Sequence, residues 1–77
     1  MLRLELIEVT EAIIKYKYYP EDSKEYGVVI LRKTTKQRDI EVMASGYSSS
    51  YAAHALQRLE EYFQKNVFPK EDIVAWC

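Results

Sequence analysis

The chain opens on a strict alternation. Leu2, Leu4 and Leu6 fall on one side and Arg3 and Glu5 on the other, the signature of a strand with one dry face and one wet face. The phase breaks at Ile7-Glu8-Val9, which predicts a bulge or a turn near Thr10-Glu11. From Ala12 to Tyr19 the alternation resumes, with Ile14, Tyr16 and Tyr18 opposed to Lys15 and Lys17, and aromatic and β-branched residues suit a pleated surface. Pro20 to Glu25 is a polar turn. Tyr26 to Lys33 contains the uninterrupted run Val28-Val29-Ile30-Leu31, which predicts a central strand covered on both faces. After a polar turn at Thr34 to Asp39, Ile40, Val42 and Ala44 alternate with Glu41 and Met43 as a fourth strand.

The period then changes. Gly46 permits a sharp turn, and Ser48 or Ser49 is placed to cap a helix. From Tyr51 to Lys65, Ala52, Ala55, Leu56, Leu59 and Phe63 form one helical stripe flanked by Tyr51 and Tyr62. Asn66 and Pro69 end the helix. In the tail, Pro69 to Asp72 reads as one helical turn, and Ile73 to Trp76 either packs beneath the sheet or adds a short edge strand. Short connections favour antiparallel neighbours. The expectation is an α+β fold: a four-stranded, meander-like antiparallel sheet, one amphipathic helix on one face, and a short C-terminal tail, all in one domain over 1–77.

Composition narrows the function. The chain has 77 residues, with 11 Lys+Arg against 12 Asp+Glu, a net charge of -1. That balance excludes a strongly basic nucleic-acid module. A single cysteine, Cys77, precludes an internal disulfide and favours a reducing compartment. The charged N-terminal stretch has no signal-peptide core, and no apolar run approaches a membrane span. The expected setting is the cytoplasm, with no membrane partner.

No constellation points to catalysis. His54 is the only histidine, so no metal site and no cofactor is expected, and the reading is not an enzyme. Gly46 to Ser50 lacks the closing glycine of a nucleophile elbow, and its serines are explained by capping. Glu60-Glu61 and Glu71-Asp72 are adjacent in sequence and diverge.

Local features are more informative. His54, Arg58, Glu61 and Lys65 lie opposite the apolar stripe of the helix. Seven tyrosines and Trp76 supply amphipathic rings of the kind favoured at protein interfaces. If Ile7, Val9, Ile13, Tyr19, Val29 and Leu31 share the outer sheet face, an apolar patch stands open unless the tail covers it. The expected function is a protein-interaction domain that docks a protein partner or a second copy of itself through His54, Arg58, Glu61, Tyr19 and Trp76.

The second reading concerns residues 15–38. They hold seven basic residues (Lys15, Lys17, Lys24, Arg32, Lys33, Lys36, Arg38) against three acidic ones, a net of +4. Interleaved with Tyr16, Tyr18, Tyr19 and Tyr26, this stretch has the ingredients of a nucleic-acid platform built on Lys15, Lys17, Arg32, Lys33, Lys36 and Arg38. Against it, Tyr16 and Tyr18 lie opposite the lysines, and only Tyr19 shares their face.

Gly46-Tyr47, Ser50-Tyr51-Ala52-Ala53-His54-Ala55, Arg58-Leu59, Phe68-Pro69 and Ala75-Trp76 together resemble a pattern in small uncharacterised proteins of Gram-positive bacteria and their mobile elements. The resemblance covers about the last 30 residues and implies no activity. It implies a bacterial or phage cytoplasm and marks His54, Arg58 and Trp76 for testing.

Overall fold

A computed structural model of the chain describes residues 1–75. The elements run β1 (Leu2–Val9), β2 (Ile13–Pro20), β3 (Gly27–Arg32), β4 (Arg38–Val42), α1 (Ser49–Lys65) and β5 (Glu71–Val74). All five strands form one sheet in the order β4-β3-β2-β1-β5, with every adjacent pair antiparallel. The first four make a meander. After β4 the chain crosses the sheet as α1 and returns at the far edge as β5.

Two expectations about the tail are therefore corrected. The sheet has five strands rather than four, and residues 71–72 are strand rather than helical turn. The acidic pair looked helical because Pro69 and two carboxylates resemble a first turn. Docking against β1 decided otherwise: Leu2 faces Val74 and Leu4 faces Asp72, and the Leu6 amide donates to the Lys70 carbonyl. β3 is buried from Gly27 to Leu31, yet it is second from an edge, and β2 is the central strand.

The alternation of β1 and β2 holds, and the register between them slips at Leu6/Glu8, where the phase breaks in the sequence. Leu2, Leu4, Ile14, Tyr16, Tyr18, Val29 and Leu31 point to the helix and are fully buried. Val29 and Leu31 thus belong to the covered face, and Val9 packs against the same core, contrary to the expected outer patch. A continuous apolar run conceals its own phase. Pairing fixes it here, because Tyr16 lies opposite Val29 and Ile14 opposite Leu31.

The helix presents Ala52, Ala55, Leu56, Leu59 and Tyr62 to the core, and Phe63 is half-buried. Ser48 occupies the N-cap position, but its hydroxyl meets that of Ser50 at 2.7 Å and makes no capping bond. Asn66 closes the helix in the left-handed region (φ 54°), with the Asn66 and Val67 amides donating back to Phe63 and Tyr62 carbonyls. Gly27 makes room for a ring. A Cβ there would stand 2.2 Å from Cε1 of Tyr18, its cross-strand partner.

Candidate functional site

Five antiparallel strands about 4.8 Å apart make a sheet wider than one helix of about 10 Å can cover on one face, and nothing in the described chain covers the other. On that open face, one row runs across four segments. Ile73 of β5 lies opposite Arg3 of β1, Arg3 lies opposite Tyr19 of β2, and Tyr26 stands beside Tyr19 just ahead of β3. The Arg3 guanidinium sits 4.1 Å from the Tyr19 ring centroid, and the Lys17 ammonium 4.6 Å from that of Tyr26. The two rings are 5.6 Å apart and tilted by 46°. Ile73 is 59% exposed and Tyr26 41%. Two open-face residues further along, Val28 and Ile30, are buried, because Lys17 and Lys15 stand directly across from them and lay their aliphatic stems over the sheet.

Around this row most charges of the open face are paired, and Val42, opposite Val28, stands 44% exposed among them. Lys15 pairs with Glu41 at 2.9 Å, Arg32 with Asp39 at 3.0 Å, and Arg3 with Glu5 at 2.7 Å. The expected basic platform is thereby dispersed. Lys15, Lys17 and Arg32 are on the open face, whereas Arg38 points to the helix side and pairs with Glu60. The Lys33 ammonium lies 5.1 Å from the Phe68 ring, and Lys36 lines a cleft of about 320 Å³ with Leu31, Glu60, Phe63 and Gln64. Nucleobase stacking needs free ring faces. Here Arg3 and Lys17 cap one face of Tyr19 and Tyr26, and the rings tilt towards each other.

The expected partner-binding set is divided too. His54, Arg58 and Glu61 line a cleft of about 260 Å³ beside Val74 and Ala75, on the opposite side of the sheet from Tyr19. Trp76 lies outside the described residues. Arg58 is no free contact: its guanidinium donates to Asp72 at 3.1 Å and approaches Glu61 at 4.0 Å. Asp72 also accepts the Tyr62 hydroxyl, and Tyr62 packs 5.4 Å from Tyr16, whose hydroxyl donates to the Pro69 carbonyl at 2.6 Å. Desolvation, then the charge of Asp72, pushes the Tyr16 phenol up to about 12. Desolvation and the hydrogen bond to Asp72 push Tyr62 higher still. Both remain protonated donors at neutral pH. This network fastens β5 and the preceding turn to the helix, and its chemistry is structural.

Sequence reasoning found Tyr19 but not Arg3 and Ile73 as its neighbours. The parity of Arg3 and Tyr19 was visible in their alternation, but their adjacency depends on register, and Ile73 joins them only because β5 pairs with β1. Among the described residues no group of three or more metal-ligating side chains converges, and no helix is long and apolar enough to cross a membrane. No family model, curated protein or solved structure matches the chain.

Proposed function

We propose that this chain is a small intracellular protein-docking domain, and that its partner, another protein or a second copy, seats on the open sheet face over Ile73, Arg3, Tyr19 and Tyr26. One observation carries the reading: the aromatic–arginine row stands on the face that the helix leaves bare. Tyrosine and arginine are, with tryptophan, the side chains enriched among energetically dominant interface residues, since a ring or a planar guanidinium offers broad contact area with polar groups at its end. Arg3 and Lys17 hold the rings in place, so little side-chain freedom is lost on docking. The resemblance of residues 46–76 supports a bacterial or phage setting.

The test is affinity capture with the native chain and with the Arg3→Glu/Tyr19→Ala double variant, each first melted thermally, together with light scattering for self-association. Loss of capture, or of a dimer, with an unchanged melting curve supports the open face. Undiminished capture by the double variant removes it. Oligonucleotide binding that falls steeply with salt would replace protein docking by the nucleic-acid reading, because each neutralised phosphate releases counterions.

A further inference from the structure

The two edges of the sheet are finished differently. On β5, the alternation set by the Leu6–Lys70 bond turns the Ile73 amide outwards, and the neighbouring Asp72 carboxylate accepts it at 2.9 Å. That edge caps one of its outward amides from its own strand, while the Glu71 groups, outward by the same alternation, stay open. On β4, the Arg32 amide donates to the Gln37 carbonyl, which makes Leu31–Arg38 a non-hydrogen-bonded pair. By the same alternation, the N–H and C=O groups of both Arg38 and Ile40 point away from β3, towards solvent.

The side chains reinforce the contrast. α1 packs over β1, β2, β3 and β5 and reaches β4 through the Arg38–Glu60 pair. Ile40 turns to the helix side, opposite Val29, yet is 41% exposed; past the register slip Val42 lies opposite Val28 on the open face, at 44%. Hence β4 carries open backbone groups together with one exposed apolar side chain on each face, Ile40 beside the helix and Val42 on the open side.

We infer that β4 is a strand-addition site that takes an extended segment of another polypeptide, antiparallel to it, through the Arg38 and Ile40 backbone. A second copy of β4 is a poor occupant. Any two-fold pairing that joins the outward groups and keeps both helices on one face sets Arg38 against Arg38, Asp39 against Asp39, or Asp39 against Glu41. Like charges directly opposite are destabilising, although here Asp39, Glu41 and Arg38 also meet Arg32, Lys15 and Glu60 within the chain. The complementary segment carries an apolar residue beside Ile40, then a basic one opposite Asp39, then an acidic one opposite Arg38. The slip between Val28 and Val29 ends regular pairing beyond Ile40, so the added strand is short. This site is separate from the Tyr19 row.

A fluorescein-labelled peptide with valine, lysine and glutamate in succession at its centre, flanked by threonines and valines, tests it by anisotropy. Saturable binding is expected, weakened about tenfold or more by Ile40→Pro and unchanged by Tyr19→Ala. Proline at 40 removes an outward amide and no bond to β3, so the fold should tolerate it. Should Ile40→Pro nevertheless unfold, a peptide N-methylated on the amides that face β4 serves instead and must bind at least about tenfold more weakly. No saturable binding overturns the proposal. So does equal binding of a peptide with lysine and glutamate exchanged, equal binding of the N-methylated peptide, or undiminished binding by folded Ile40→Pro. A dimer that Ile40→Pro dissolves would overturn the choice of occupant. Each of these outcomes leaves docking at Tyr19 to be judged by its own variants.

Discussion

The two faces of this sheet are built from the same strands in alternation, and they have been put to opposite uses. On the covered face, Leu4, Tyr16, Tyr18 and Leu31 meet Ala55, Leu56, Leu59 and Tyr62 without access to water. Even the hydroxyls are committed there: Tyr18 accepts the Ala44 amide at 3.1 Å, and Tyr62 serves Asp72. On the open face, tyrosines and cations lean on one another in solvent, and Val28 and Ile30 are hidden by lysine stems. The difference teaches how a small chain divides its apolar supply. One face stabilises the fold by removing area from water, while the other keeps large rings ordered and accessible.

The sharpest way to break the comparison is truncation on each side. Leu59→Ala is expected to cost about 2–5 kcal/mol in urea unfolding, the transfer loss plus the cavity left behind. Gly27→Ala is next, at about 1–3 kcal/mol, because the new methyl needs the place of the buried Tyr18 ring. Asp72→Ala should cost about 1–3 kcal/mol, since it strands the Tyr62 hydroxyl, takes the nearer of two carboxylates from Arg58 and frees the outward Ile73 amide.

Alkali probes the same network. Unfolded tyrosines ionise near 10, whereas Tyr16 is held to about 12 and Tyr62 above it. Their contribution is therefore complete below about pH 10 and is lost as the pH climbs through the folded values. Urea midpoints should fall across that window, and less steeply in Tyr62→Phe. The smallest effect belongs to the open face. Tyr19→Ala should change stability by less than about 1 kcal/mol, the scale of an exposed cation–π contact, while abolishing capture. A loss of several kcal/mol there would mean that the row is structural, and the contrast between the faces would collapse.

Much of this was legible because short-range periodicity is a local property. The alternation of Leu2 to Leu6 and of Ile14 to Tyr18 fixed two inward faces, and the stripe through Ala52, Ala55, Leu56 and Leu59 fixed the buried side of the helix. The left-handed Asn66 cap was legible too. Where a pattern was ambiguous, the reading failed for a physical reason. Val28 to Leu31 is apolar throughout, so only the pairing with β2 could show that Val29 and Leu31 are inside. Glu71-Asp72 suits a helix start as well as a strand, and β1 offered the free ladder that chose.

What the sequence determined by itself was therefore the set of elements through β4 and α1, and which residues of β1, β2 and α1 avoid water. These follow from bond geometry and side-chain polarity a few residues apart. The tertiary structure alone decided the fifth strand, the grouping of Ile73, Arg3, Tyr19 and Tyr26, the separation of His54 and Arg58 from Tyr19, and the dispersal of the basic residues. Those depend on which strands become neighbours and in what register, and that is settled by the burial of the whole sheet against one helix.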